Sequence, residues 1–456
     1  MTDVLDRPAV MQMPATDHAP RPYTGPSRDA VLAQRRRYVN PTVFTLYREP
    51  IMVVEGHMQW LWDDAGKRYL DLFAGIVTVS CGHCHPKVAA RVQEQVGTLQ
   101  HATTIYLHPN MPALAEKLAG KMPPGLEVTY FVNSGSEAND LAIMMARLYT
   151  GNHDVIAVRN SYHGGSPSAM ALTSHSTWKF PTVRSDGIHH ALNPDPFRTP
   201  FDDDSPESVA RRSAADIRDV IRYSTPGKVA AFIAEPIQGV GGATHGAPNY
   251  LAEAYAVTRE HGGLCIADEV QTGFGRTGDH YWGFQNFGVT PDIVTMAKGI
   301  GNGAPLAAVT TTREIAQTLA QRIHFNTYGG NPVSMAAGLA VMEVIEEDGL
   351  QENSRVIGAR LKDGLHALMA RHPLIGDVRG MGLMLGIELV RDRQTREPAK
   401  AETLELLELC REMGVLIGKG GLDGNVVRLK PPMCITAEDA DFALDVIDRA
   451  LTKIEG

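Results

Sequence analysis

The chain has 456 residues, 43% hydrophobic and 21% charged, an ordinary globular composition with length for roughly three average domains and a sizeable core. Its 43 Lys+Arg against 52 Asp+Glu leave a formal charge of -9, which argues against a phosphate polymer as partner, so no nucleic acid is expected. No run reaches the roughly 18 apolar residues of a membrane span, and the first residues, with Asp3, Asp6, Pro14 and Asp17, hold no apolar leader core. These readings predict no membrane association and a cytoplasmic protein.

Residues 1–27 hold five Pro and little apolar periodicity, which predicts a mobile arm, reaching to about residue 40, that carries no chemistry. Between Met52 and Phe73, Trp60-Leu-Trp62 and Tyr69-Leu-Asp-Leu-Phe73 flank an Asp63-Asp-Ala-Gly66 turn, a hairpin signature. Cys81, Cys84 and His85 spell C-x-x-C-H, formally a haem attachment pattern, with His83 as a further potential ligand. Covalent haem attachment normally needs export and a zinc site needs a second ligand pair, so this segment is expected to be a turn with packed thiols and no metal. With five Cys in all, a disulfide framework is not expected.

From there, apolar runs of strand length alternate with helical stretches, the pattern of an α/β fold with a mostly parallel sheet. Strands are predicted at 128–132, 155–158, 230–234, 264–267, 293–297 and 306–310, and helices at 137–149, 248–260 and from 334 to about 347. Beyond these, helix 354–371, strand 382–390, helix 402–413, strand 426–429 and helix 437–452 predict a smaller α+β domain.

Gly273-Phe-Gly275-Arg-Thr-Gly278 matches G-x-G-x-x-G after a strand, but an aromatic, Gly-broken stretch follows where a dinucleotide site needs a helix. A better phosphate site lies at Asn133-Ser134-Gly135-Ser136-Glu137, where a strand runs straight into a helix. Taken alone, Ser134 or Ser136 serves equally well as a helix cap. Asp268 and Lys298, each ending an apolar strand, deliver an acid and an amine to one rim of the sheet. Pyridoxal phosphate needs such a set: an amine for its aldehyde, an anion for its pyridine nitrogen, and a phosphate cup. Tyr162 and Val270 are placed to face the two sides of its ring.

At these residues the chain resembles the class III, fold-type I pyridoxal-phosphate aminotransferases. The resemblance runs from about Pro41 onward and rests on Asn133-Ser-Gly-Ser-Glu-Ala-Asn139, Tyr162-His-Gly164, Glu235-Pro-Ile-Gln238, Asp268-Glu-Val-Gln271, Thr295-Met-Ala-Lys298-Gly, Asn326-Thr327-Tyr-Gly-Gly-Asn331-Pro, and Arg428 before Pro431-Pro432. The 75–86 and 266–276 segments and Met433-Cys-Ile-Thr436 are most similar to the alanine-glyoxylate aminotransferase 2 branch. The resemblance implies a large cofactor domain at 75–335 with a mostly parallel seven-stranded sheet. It also implies a small domain at 336–456, joined by a β-rich segment at 41–74.

It further implies that Lys298 forms the Schiff base with the cofactor and then shuttles the substrate proton, while Asp268 pairs with the pyridinium. Ser134, Gly135 and Ser136 would hold the phosphate, Tyr162 and Val270 would sandwich the ring, and Gln271 would contact its hydroxyl. Thr327 would reach the phosphate of a neighbouring subunit, which implies a homodimer or a tetramer built from one. Arg428 would clamp the carboxylate of a small amino acid or oxo acid. Glu235 is a family position whose role the sequence does not give. In class III enzymes that use glutamate, a Glu often follows the Glu-Pro-x-Gln motif and masks the clamping arginine. Here Gln238-Gly-Val240 places Val240 at that point, which implies an open Arg428 and alanine with glyoxylate or pyruvate as substrates. Lys430, two residues from Arg428 on the same strand face, departs from the branch and either adds charge to the pocket or pairs elsewhere. A phospho-lyase of the same fold, acting on an amino-alcohol phosphate, is the rival reading.

Overall fold

The computed structural model describes residues 11–181 and 186–456. The first ten residues of the expected arm lie outside them. The strands in chain order are β1 (Val53–His57), β2 (Trp60–Asp63), β3 (Arg68–Asp71), β4 (Val128–Val132), β5 (Val155–Val158), β6 (Ile188–Ala191), β7 (Ala231–Ala234) and β8 (Leu264–Asp268). They continue with β9 (Ile293–Met296), β10 (Ala307–Thr311), β11 (Ile375–Met381), β12 (Met384–Leu389), β13 (Val415–Leu416), β14 (Gly418–Gly420) and β15 (Val426–Leu429).

Seven of them form one sheet in the order β4-β10-β9-β8-β7-β5-β6. Its inner strands β5 and β7 are short continuous apolar runs because both faces are covered. Val155 and Ala157 pack toward the Gly135–Thr150 helix, whereas Ile156 and Val158 pack against Pro206–Ser224 and Asn249–Glu260 on the other side. The strands from β9 through β6 run parallel, and β10 alone runs against both of its neighbours. Because β10 pairs antiparallel with β9 and with β4, it reverses direction twice and returns the carboxyl end of β4 to the rim where β8 and β9 end. Three strand ends therefore open onto one crevice, the place where α/β sheets bind ligands.

A second sheet, β1-β2-β3-β13, ties the N-terminal hairpin to a strand made late in the chain, and a third, β11-β12-β15-β14, carries Arg428. The predicted 382–390 strand is β12, the second arm of a hairpin whose first arm, β11, was not expected; the turn falls at Gly382, whose φ of 53° lies in the left-handed region open to glycine. No helix among the described residues is long and apolar enough to cross a membrane.

Of the described part of the N-terminal arm, the Met13–His18 stretch is docked, contrary to the expected loose tail. Met13 packs on the main core, Arg68 donates to the Pro14 carbonyl, and His18 Nε2 lies 2.7 Å from Glu55 Oε1. The C-x-x-C-H segment is a turn, as expected. His83 bonds Asp71 and His85 bonds Asp348. Cys81 is a packed thiol but Cys84 is exposed, so that expectation held for one of the two. After β8, the G-x-G-x-x-G segment leads to a short 3-10 turn at Gly283–Phe287 rather than the helix a dinucleotide site requires.

Candidate active site

At the end of β4, Ser134 caps the Gly135–Thr150 helix by accepting the Glu137 N–H at 3.3 Å. The N–H groups of Gly135 and Ser136, in the first turn, have no acceptor in the described chain, as a helix start leaves them. The Ser136 hydroxyl accepts from Gly165 N at 3.0 Å, and it sits where any Cβ on Gly164, with φ of 134°, would land. This close approach explains the Tyr162-His-Gly164 pattern.

Gly135, Ser136, Tyr162, Val270, Gln271, Asp268 and Lys298 line one cavity of about 170 Å³, together with Asn139, His163, Gly164 and Glu235. Of the expected site residues, Ser134, Thr327 and Arg428 do not line it. Thr327 is exposed, on a loop fixed to the same helix start by Asn326, whose Oδ1 accepts from Asn133 Nδ2 at 3.0 Å.

Asp268 is buried at the end of β8 and fully supplied with donors. Its Oδ2 accepts from Asn139 Nδ2 at 2.9 Å and lies 2.8 Å from His163 Nδ1, while Oδ1 accepts from Val270 N. Asn139 is itself fixed by Thr295, which donates to its Oδ1 at 2.7 Å. Such a carboxylate keeps its position whatever binds in front of it. Lys298 follows β9 with φ of 48°, a left-handed backbone unusual for a residue with a side chain and typical of functional sites. Burial pushes its amine down to about 8, although Glu235 and Asp268 pull the other way. Glu235, buried, accepts from Tyr162 N at 2.9 Å and from Gly239 N at 2.7 Å. Burial raises its carboxyl, opposed by the nearby His163 and by these two N–H groups.

On β15, Arg428 lies with its guanidinium 5.1 Å from the centre of the Phe73 ring, and Nη1 donates to the Gly239 carbonyl at 3.3 Å. Burial lowers Arg428 to about 10. Phe73 is held by an unusual turn, since Ala74, Gly75, Ile76 and Val77 all have positive φ. Asp71 secures it by accepting from Phe73 N and Ala74 N. Lys430, fully buried, donates to the same Gly239 carbonyl at 3.0 Å and to Gln271 Oε1 at 3.1 Å.

Asn139, His163 and the Asp71 turn were missed as functional parts by the sequence reading. Asn139 lies one helical turn past Gly135, so its facing the same crevice was the available signal.

These residues fit pyridoxal 5'-phosphate. A pre-organised anion, an amine of depressed basicity and two open N–H groups beside a hydroxyl are its three requirements. The family model for aminotransferase class-III matches residues 45–451. The chain is a class III aminotransferase. It is an enzyme that uses pyridoxal 5'-phosphate to transfer amino groups.

It is 53% identical over 443 residues to the Arabidopsis thaliana protein named alanine–glyoxylate aminotransferase 2 homolog 2, mitochondrial, covering 97% of this chain and 91% of the other. Among solved structures, a phospholyase from Arthrobacter in complex with phosphoethanolamine superposes with a TM-score of 0.86 at 35% identity, over 92% of this chain and 99% of that one. A PLP-bound amine transaminase from an uncultivated Pseudomonas species does so with 0.85 at 30%, over 91% and 98%. The curated relatives at 45–53% identity are named mitochondrial, which overturns the cytoplasmic expectation. That expectation tested only for an apolar leader, and mitochondrial targeting uses Arg-rich amphipathic segments instead.

Proposed function

We propose that this aminotransferase moves the amino group of a small amino acid, alanine foremost, to glyoxylate or pyruvate. The observation that carries the reading is that Arg428 has no acid partner in the described chain. Its guanidinium meets a carbonyl and an aromatic ring, and no carboxylate of the described chain forms an ion pair with it. Val240 is packed in the interior and has no charge to offer. Nη1 meets the Gly239 carbonyl but Nε has no partner in the described chain, so the Nε side of the guanidinium could take a compact carboxylate by two parallel hydrogen bonds. The names of the relatives at 45–53% identity support the same substrates.

Bound pyridoxal phosphate supplies the aldehyde that takes up the amino group and a ring that draws off the electron pair left at Cα. The chain does the rest. Lys298 Nζ, of lowered basicity, would serve as the base that takes the proton from Cα and the acid that returns it. Asp268 holds a proton on the ring nitrogen, and Asn139, His163 and Val270 N–H hold Asp268. The N–H groups of Gly135 and Ser136 and the hydroxyls of Ser134 and Ser136 take the phosphate, Ser134 keeping its hydrogen for the anion while accepting from Glu137. Tyr162 and Val270, which line the same cavity, would hold the ring, and Gln271 would meet its hydroxyl.

Half-reaction rates with alanine, β-alanine, 4-aminobutyrate, aspartate and glutamate test the substrate reading. Alanine with glyoxylate should outrun glutamate with 2-oxoglutarate by about tenfold or more, about 1.4 kcal/mol of differential transition-state binding. Glutamate as fastest donor would overturn it. The likeness to the Arthrobacter phospholyase supports a second reading, elimination of phosphate after the same Cα deprotonation. Phosphate released from phosphoethanolamine with no oxo acid present would favour it, whereas a stoichiometric need for oxo acid supports transfer.

The reading includes a homodimer in which Thr327 of one protomer completes the phosphate cup of its partner. In support, Thr327 is surrounded in sequence by the exposed Phe325 and Tyr328, and the Tyr328 ring touches His101, near the exposed Ile105, Tyr106 and Leu107. A patch of this kind marks an interaction surface. Thr327→Ala should weaken cofactor retention by about 10- to 100-fold, the worth of one charged hydrogen bond, and leave the melting temperature nearly unmoved. Equal retention, or full activity in chains diluted to monomers, would contradict the dimer.

A further inference from the structure

Lys430 follows β15 with no exposed surface, yet neither of its two hydrogen-bond acceptors is a carboxylate. The charged groups around it are Arg428 from β15, Lys298 after β9 and Arg276 after β8, all cations, and the acid Glu235 after β7. Burial, then Arg428 and Lys298, hold its amine well below the ordinary lysine range. The two bonds do not depend on its charge, since an ammonium has three N–H groups to give and a neutral amine still has two.

One of those bonds settles the orientation of an amide. Gln271 has an acceptor at Oε1 and a donor at Nε2, and Lys430 occupies the acceptor. Nε2 is the end left to the cavity that Gln271 lines, and no group of the described chain accepts from it. Gly239 approaches so closely that a Cβ there would overlap the Gln271 amide, which leaves the amide little room to turn.

We propose that Lys430 is a positioning residue that, through Gln271, presents a fixed hydrogen-bond donor to the hydroxyl oxygen of the cofactor ring. The proposal rests on the placement of that hydroxyl beside Gln271 given under Proposed function. A donor at this oxygen stabilises negative charge on it. That charge is least compensated when the Lys298 nitrogen of the loaded site has lost its proton. The donor therefore favours the deprotonated state and lowers the pH at which the proton leaves. Glu235 and Asp268, which face Lys298, act in the opposite sense, and the Arg428 cation acts in the same sense as the donor.

The test is a pH titration of the near-visible absorption of the purified holoenzyme. The wild-type band tests the cofactor site itself, and only the movement of its midpoint tests Lys430. Lys430→Met keeps the length and buries no new polar group. It should raise the midpoint by about one pH unit, the size expected for a neighbouring charge or hydrogen bond. Gln271→Leu should raise it likewise, and adding Lys430→Met to Gln271→Leu should move it less than half as far as Lys430→Met does alone. An unmoved midpoint in a folded, cofactor-bearing Lys430→Met protein overturns the proposal, as does a full shift that persists in the Gln271→Leu background. If Lys430→Met does not fold, Gln271→Leu decides: an unmoved midpoint there overturns the proposal equally.

Discussion

Lys298→Ala is expected to lower the alanine half-reaction by about 10³-fold or more. The side chain is assigned proton transfer at Cα, a role worth roughly 10²- to 10⁴-fold by itself. Nothing else in the cavity replaces it. Glu235 is tied to two backbone N–H groups, and Lys430 is tied to Gly239 and Gln271. The variant should still fold, since Lys298 is a depressed amine whose charge the interior disfavours rather than uses. A small primary amine added to the assay should restore part of the rate, which a misfolded protein would not allow. In the wild-type apoprotein the amine attacks an aldehyde only when neutral, so pyridoxal phosphate uptake should speed up as pH rises through about 8 and then level off. Stopped-flow absorbance measures both rates. Loss of less than tenfold in Lys298→Ala would remove this residue from the proton path.

Asp268→Asn should cost about 10²- to 10³-fold in kcat, the usual loss when a pre-organised charge is removed from a water-excluded site. The carboxylate accepts from Asn139 and Val270 N–H and pairs with His163. An amide of the same shape must turn its NH₂ group toward one of these donors. A loss of about 1–3 kcal/mol in stability should therefore accompany the loss of rate. Thermal melting read alongside single-turnover kinetics separates the two. A variant with the wild-type rate and a lowered melting temperature would make Asp268 a structural residue only.

The parts legible in the sequence are those fixed by burial on both faces or by polar residues interrupting an apolar run. Strands β4, β5 and β15 match their expected spans residue for residue, and Asp268 and Lys298 stand at strand ends as expected. Strand β6, Ile-His-His-Ala at the edge of the sheet, escaped because an edge strand need not be a continuous apolar run. Strand β11 escaped because Gly382 was taken for a beginning when it is a turn. The Thr295–Asn139–Asp268–His163 chain could not be read at all, since each member meets the next across more than one element. Nor could the Ala74–Val77 turn, because left-handed backbone at residues with side chains leaves no mark on composition. Lys430 was noticed as a departure, but its partners, Gly239 and Gln271, come from distant loops.

The doubly reversed β10 also sets an order of events during synthesis. Strand β4, which leads into the Gly135–Thr150 helix, has one neighbour among the described strands of its sheet, and that neighbour is β10, made far later in the chain. Closing so long a loop is slow, and a strand edge that waits for its partner is exposed to wrong pairing in the meantime. On a translating ribosome the crevice cannot be completed until Thr311 has emerged, by which point β5 through β9 have all been made. The β4 side of the crevice is thus the last part of this sheet to close, and nascent chains that stall before β10 should be the ones that chaperones hold.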